Sequence, residues 1–242
     1  MKESHKQIDE AKPESGEEIL PLSSIRKVIA QRMSQSFQSP HVYLSVDVDT
    51  GELAGMREKL VPSIEKAAGV RLTYTDLLLK VIARAVVDHP EVNVSWTESG
   101  IKKLSEINIG LAIAVEDGLV VPVIRQVNLK SLAEVAAARS DVVRRAGEKK
   151  LALSEMKGGS LTMTNLGMLG IDRFGAIINP PESCILAVGR IADKPAVVNG
   201  ELTIRSRMNL TLSIDHRVLD GAPGARFLGR IKELIEQPAG IE

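Results

Sequence analysis

One cysteine, Cys184, is the only thiol in this chain of 242 residues. That excludes a disulfide framework and a four-thiolate metal site within the chain, and it suits a reducing compartment. An excess of charge is also missing. Thirty-one basic residues balance 31 acidic ones, so there is no bulk electrostatic footprint for nucleic acid or an anionic membrane. No apolar run approaches the ~20 residues of a transmembrane helix. The opening stretch MKESHKQIDEAKPESGEE lacks the apolar centre of a secretory signal and reads as a disordered tail or linker remnant over residues 1–19. No internal repeat is visible. No G-x-G-x-x-G, G-x-x-x-x-G-K-[ST], H-E-x-x-H or G-x-S-x-G occurs, so dinucleotide-binding, P-loop, zincin and serine-hydrolase readings lose support.

What is present is an ordinary globular pattern, long enough for an ample core. SSIRKVIAQRMSQSF sets Ile25, Val28, Ile29, Met33 and Phe37 near helical spacing, with Ser23 or Ser24 as cap and Pro40 beyond the end. HVYLSVDVD alternates as a strand, with Val42, Leu44, Val46 and Val48 on one face. ELAGMREKL reads as a helix limited by Pro62, and TDLLLKVIARAVVDH as a buried apolar helix stopped by Pro90. INIGLAIAV, a turn at EDG, and LVVPVI read as one hairpin, with Pro122 at an edge or a bulge. The helix from Ser131 to Ala146 opens on SLAE, a capping box of Ser131 and Glu134. GSLTMTN is a strand carrying Ser160, Thr162 and Thr164 on one face and Leu161 and Met163 on the other. SCILAVG is a short buried strand, AVVNGELTI a hairpin turning at Asn199-Gly200, and NLTLSID the last strand. A helix from about Pro223 to Glu236 closes the chain. Strands interleaved with helices and hairpins predict an α/β fold, with a mixed sheet flanked by helices rather than a purely parallel doubly wound one.

Two constellations could carry chemistry. Of the four histidines, His5 lies in the polar tail, His89 suits a helix C-terminus and His41 a structural place at a strand start. His216 shares the parity of Leu210, Leu212 and Ile214, which predicts that it emerges at the end of the last strand on the buried side. Asp220 follows four residues on, with Gly221 to relieve the turn. The plainer alternative makes His216 a satisfied core histidine and Asp220 the cap of a helix whose stripe is Phe227, Leu228, Ile231, Leu234 and Ile235. The second constellation is Thr164-Asn165 at a strand end, followed by LGMLG. A hydroxyl and an amide there suit an oxyanion, and glycines admit a thin substrate. An ordinary glycine-rich turn is the alternative.

Together these segments resemble one family. DHRVLDGAPGARFL is similar to the D-H-R-x-x-D-G signature of the catalytic domain of dihydrolipoamide acyltransferases, core components of 2-oxoacid dehydrogenase complexes. LTMTNLGMLG, IINPPESCILAVG and GLVVPVIR resemble further motifs of that domain in the same order, so the resemblance runs from about Leu20 to Pro238. It implies the chloramphenicol acetyltransferase-like fold over residues 20–242, assembled as homotrimers. It also implies transfer of an acyl group, with acetyl favoured by NLGMLG and INPPESCILAVG, between a dihydrolipoyl carrier and coenzyme A. Coenzyme A is then a substrate, and the lipoyl group comes from another domain or chain. A free thiol titrates near about 8.5 and a free imidazole near about 6.5, so a histidine can take the thiol proton. By resemblance His216 is that base, Thr164 holds the place of the oxyanion-stabilising hydroxyl, and Asp220 supports the loop.

The family's site is a channel between subunits, so His216 would meet Thr164 of another chain. Arg57 and Glu116 match an Arg–acid pair near the pantetheine, Thr73 a hydroxyl position, and Asn165, Leu166, Gly189 and Ile191 neighbours of the same channel. Read without the resemblance, Arg57 is a solvated helix charge and Thr73 a helix cap. The implied partners are a lipoyl-bearing domain in trans and the decarboxylase and dihydrolipoamide dehydrogenase components. No metal, nucleic acid or membrane is implied, and the compartment is the cytoplasm, or the mitochondrial matrix in a eukaryote. Three departures stand out: no lipoyl or peripheral-subunit-binding domain precedes the motifs, AVEDGL is shorter than the usual hairpin, and QPAGIE has only Ile241 as an apolar residue where the family has a cage-docking tail. The last predicts trimers without a large cage. The competing readings are a catalytically silent core with an assembly role, and an acetyltransferase acting on a small hydroxyl acceptor.

Overall fold

The structure, a computed structural model, describes residue 18 and residues 20–116 and 118–241. The expected tail over residues 1–19 therefore lies, Glu18 apart, outside the described residues. In chain order the elements are α1 (Ser24–Ser36), β1 (His41–Asp49), α2 (Gly51–Ala68), α3 (Tyr74–Asp88), β2 (Val94–Thr97), β3 (Gly100–Lys103), β4 (Ile109–Leu111), β5 (Ile113–Val115), β6 (Gly118–Val120), β7 (Val123–Ile124), α4 (Leu132–Gly147), β8 (Leu161–Asn165), β9 (Cys184–Val188), β10 (Ala192–Val198), β11 (Glu201–Asp215) and α5 (Gly221–Glu236).

The main sheet runs β1-β11-β9-β8-β4-β7, and β10 adds to β11 beyond β9. It is mixed: β8 lies parallel to both β4 and β9, and the other pairs are antiparallel. One face buries Met208, Leu210, Leu212 and Ile214 of β11 with Leu161 and Met163 of β8 in the main core. Helices α3 and α5 cover that face. α3 is buried nearly all round and α5 along a stripe containing Phe227, Leu228, Ile231, Leu234 and Ile235. Full burial of a side chain such as Phe227 contributes roughly 2–3 kcal/mol. The other face is covered by the segment after β8: Ala176 and Ile178 pack on Ile185 and Ala187 of β9.

The helix starts are set locally. Ser131 and Glu134 form the expected capping box of α4, and Thr73 and Asp76 form another at the start of α3. Asp76 is fully buried and also takes two hydrogen bonds from Arg139 at 2.9 Å, which ties α3 to α4. Asn199-Gly200 turns the β10–β11 hairpin with φ of 52° and 85°, the left-handed backbone of a tight hairpin turn.

Four expectations are corrected, and one hairpin was not foreseen. Pro62 does not limit the helix: it sits inside α2, whose packing on α4 and α5 outweighs the lost hydrogen bond. The region read as one hairpin divides, because β4 and β7 pair in the main sheet while β5 and β6 form a separate ribbon; Asp117 of its turn lies outside the described residues. The second arm of the Asn-Gly hairpin and the last strand are one strand of 15 residues, β11. A further hairpin, β2–β3, lies outside the main sheet. Finally, α5 begins at Gly221 rather than near Pro223, with Asp220 at the N-cap but without a side-chain cap bond.

Candidate active site

Thr164 and His216 are carried to opposite ends of the sheet. Thr164 lies opposite Ala187 of β9, which in turn lies opposite Thr211 of β11. His216 is five positions further on, just past the end of β11, roughly 16 Å by strand rise, and two strand spacings to the side, roughly 19 Å in all. A single chain therefore does not bring them together.

Along β8 and the residue before it three hydroxyls lie on the face away from the main core, with Thr164 nearest the strand's end. The Ser160 hydroxyl donates to the carbonyl of Glu106 at 3.0 Å and accepts the amide of Asn108 at 3.1 Å. The Thr162 hydroxyl donates to Glu182 at 2.6 Å. Nothing among the described residues bonds the Thr164 hydroxyl, and its side chain is only half-buried. Asn165 turns the chain, its Oδ1 accepting the Gly167 amide at 2.8 Å. The turn requires its glycines: a Cβ on Gly167 would lie 2.7 Å from the carbonyl of Gly189, and one on Gly189 would lie 2.1 Å from that of Asp172. Leu166 serves the same turn, its amide donating to the Val188 carbonyl at 3.1 Å.

Beside this turn is a cavity of about 450 Å³ lined by Thr73, Tyr74, Asn165, Gly189, Ile191 and Met208, among others. Four of the positions singled out in the sequence thus share one mostly apolar wall. Thr73 is also the helix cap of its alternative reading, since its amide and hydroxyl both donate to Asp76, at 2.8 and 2.7 Å. Arg57 adjoins the cavity, with its guanidinium 5.1 Å from the Tyr74 ring centroid and Nε donating to the Leu72 carbonyl at 3.2 Å. Glu116 is elsewhere, 82% exposed past the end of β5 and paired with Lys149 at 3.3 Å. Among the described residues no bond joins Arg57 to Glu116.

At the other end, β11 stops at Asp215 and His216 is the first residue of a turn. The expectation of a buried imidazole is therefore corrected: the parity is that of the core face, but the strand ends one residue too soon to carry the ring inside, and the side chain is 45% exposed. Its amide donates to the Pro40 carbonyl at 2.9 Å. Asp220 is 79% exposed, with its Oδ1 3.6 Å from the ring Nδ1, beyond hydrogen-bond length. The remaining described histidines have structural partners. His41 sits between the Ser39 carbonyl at 2.7 Å and the Ile178 amide at 3.2 Å, and His89 contacts Glu91 at 3.2 Å.

Two groups near this end were missed. Burial pushes the Glu182 carboxyl up to about 7, although Thr162, Asn179 and Arg32 act the other way. Arg217 is doubly bonded to Asp215 and stacked on Trp96. The available signal for the second was spacing: Asp215 and Arg217 flank His216, and alternate residues at a strand end reach the same side.

A family model described as 2-oxoacid dehydrogenases acyltransferase (catalytic domain) matches residues 14–242. The chain belongs to this acyltransferase family. Among curated relatives, the dihydrolipoyllysine-residue acetyltransferase component of the pyruvate dehydrogenase complex of Rickettsia felis is 39% identical over 236 residues, 97% of this chain and 57% of that protein. The family member described here thus spans little more than half the length of that relative. Two solved structures are each 35% identical with a TM-score of 0.88, covering 93% of both chains: Azotobacter vinelandii dihydrolipoamide acetyltransferase and the cubic core of a pyruvate dehydrogenase multienzyme complex. Chloramphenicol acetyltransferase shares the fold alone, at a TM-score of 0.50 and 15% identity over 85% of this chain and 92% of that one. Among the described residues no group of three metal-ligating side chains occurs, and no helix is long and apolar enough to cross a membrane.

Proposed function

We propose that this acyltransferase domain moves an acetyl group between coenzyme A and a dihydrolipoyl carrier, in a site shared by two subunits of a homotrimer. One observation carries the reading: the Thr164 hydroxyl, unbonded among the described residues, and the exposed His216 ring lie at opposite ends of one sheet, so a site that uses both must draw them from two subunits. The Azotobacter vinelandii protein has been studied for the role of a serine, a histidine and an asparagine in its catalytic mechanism. Thr164, His216 and Asp220 follow one another in this chain at the same intervals as those three residues do in that one.

In this reading His216 accepts the proton of the attacking thiol. The sulfur bonds to the thioester carbon, and the Thr164 hydroxyl of the neighbouring subunit donates to the oxyanion that forms. Collapse breaks the old carbon–sulfur bond, and His216 returns the proton to the departing sulfur. The wall of Thr73, Asn165, Gly189 and Ile191, with Arg57 beside it, holds coenzyme A. The lipoyl group arrives on another domain or chain, from a complex that also contains a decarboxylase and dihydrolipoamide dehydrogenase. Glu116, held by Lys149 on its own chain, reaches coenzyme A only by exchanging that partner. Asp220 supports the turn.

The test is acetyl transfer from acetyl-CoA to free dihydrolipoamide. His216→Ala and Thr164→Val trimers should each be nearly inactive, and trimers reassembled from a mixture of the two should regain part of the parent rate, because some interfaces then pair an intact histidine with an intact threonine. No recovery in verified mixed trimers refutes the shared site. No transfer by the parent refutes the activity and favours a silent core; transfer to hydroxyl acceptors alone favours the small-acceptor reading. Sedimentation decides whether the trimers remain trimers or build the cube of the solved neighbour.

A further inference from the structure

In the turn that carries His216, Arg217 has both a carboxylate and an aromatic ring as partners. The Asp215 carboxylate is nearly buried. It accepts the Arg217 backbone amide at 3.1 Å, Nε at 3.0 Å and Nη2 at 2.7 Å. The amides of Val218 and Leu219 both donate to the Asp215 carbonyl at 3.0 Å, and the Asp215 amide donates to the Ser183 carbonyl at 2.9 Å. The guanidinium of Arg217 lies 4.6 Å from the ring centroid of Trp96, the single tryptophan of the chain. Trp96 belongs to β2, outside the main sheet; its neighbour Ser95 pairs with Glu182 and donates to the Pro181 carbonyl at 2.9 Å. His216 stands between the two members of this clamp. Among the described residues its own ring has no partner closer than Asp220 at 3.6 Å, so the backbone, rather than a side-chain bond, sets where the imidazole points.

We propose that Arg217 is the positioning residue for His216: a guanidinium held between the Asp215 carboxylate and the Trp96 face fixes the turn, and with it the direction of the imidazole. The planar fork and the flat stacking face are both needed, which an ammonium does not supply. The consequence for rate rests on the acyl-transfer reading; the consequence for the ring does not. A cavity of about 250 Å³ lined by Trp96, Asp215 and Arg217, among others, opens beside the clamp and gives a small cation access to the space left by truncation.

The experiment uses the intact trimer. In Arg217→Ala, kcat should fall about 100-fold, the scale of an ångström-sized misplacement, while KM for acetyl-CoA stays within about twofold. Added guanidinium ion, below denaturing concentrations, should restore part of kcat and return the Trp96 emission toward that of the parent. Arg217→Lys should recover less than guanidinium does. A folded Arg217→Ala trimer with the parent kcat overturns the proposal, and so does a return of Trp96 emission without any return of rate. If Arg217→Ala does not fold, Trp96→Leu and Trp96→Phe supply the same comparison: Leu should lower kcat without changing KM, Phe should largely keep it, and equal rates in both overturn the proposal. If the parent transfers no acetyl group, the functional reading fails on its own. The positioning is then decided by the NMR signals of the His216 ring, which should shift or broaden in Arg217→Ala and recover with guanidinium; unchanged signals overturn it.

Discussion

Where β8 and β9 stop, the chain builds a cavity from backbone. Gly167 and Gly189 pack carbonyl against glycine, Asn165 bonds back to the turn, and the start of α3 closes the wall. Where β11 stops, it builds a clamp from side chains, and the imidazole it carries stands in solvent. The first end leaves an open, mostly apolar cavity, and the second presents one exposed ring. The difference teaches that one sheet can be closed by backbone packing at one end and by side-chain contacts at the other. At the glycine-built end neither Gly167 nor Gly189 has room for an added methyl.

The sharpest way to break this comparison is to remove the imidazole. His216→Ala should lower acetyl transfer by about 10²- to 10⁴-fold, the usual contribution of a positioned base, while calorimetric binding of coenzyme A at the glycine-built end stays as in the parent. Equal loss of binding would mean that the two ends are not separate. Thr164→Val removes the free hydroxyl at nearly constant shape and should cost about 10²- to 10³-fold in kcat with KM for acetyl-CoA little changed.

A smaller effect separates the ends by pH. Burial raises the Glu182 carboxyl from an ordinary 4.5 to about 7. Between those values the folded chain keeps a proton that the unfolded chain has released, so stability falls as pH rises through that window and the loss is complete above it. Glu182→Gln should abolish this slope in thermal unfolding. Above pH 7 it should stabilise by up to about 3 kcal/mol, less about 1 kcal/mol because glutamine offers one oxygen where Thr162 and Asn179 now use two. A variant that keeps the slope would show that another group titrates.

The smallest effects test what lies between and beside the ends. Asp220→Asn should change kcat less than about tenfold, because the carboxylate is exposed and beyond hydrogen-bond length of the ring. Cys184, the first residue of β9 and opposite Ile214 at the His216 end, is pushed up to about 12 by burial. The native protein should leave it unlabelled by an aromatic disulfide reagent at pH 8, and denaturation should expose one reactive thiol.

Local signals were legible wherever one strand or one helix decided the outcome. The capping box at Ser131 and Glu134, the turn at Asn199-Gly200 and the hydroxyl face of Ser160, Thr162 and Thr164 all follow from neighbours within a few residues. The readings that failed depended on partners distant in sequence. Pro62 was read as a limit because its local cost is real, and the packing of α2 on α4 and α5 is invisible in a linear string. β4 and β7 looked like arms of one hairpin with β5 and β6, and only the parallel neighbour β8 shows which pieces enter the main sheet. For His216 the parity was right and the depth was wrong, because a strand's end is fixed by its pairing with β1 and not by its own alternation. Glu182 carried no signal at all, since a glutamate after two prolines reads as an exposed turn until the sheet closes over it.

By itself the sequence determined the alternation that makes a two-faced sheet, the apolar stripes of α3 and α5, the glycines that allow the turn after β8, and the motifs that mark an acyltransferase domain. These are properties of periodicity and of backbone freedom, which act over a few residues. Only the tertiary structure decided that Thr164 and His216 stand at opposite ends of one sheet, that Arg57 and Glu116 take different partners, and that Trp96 closes on Arg217. Each of these depends on strand order and register, which are set by pairing between segments far apart in the chain and leave no periodic trace along it.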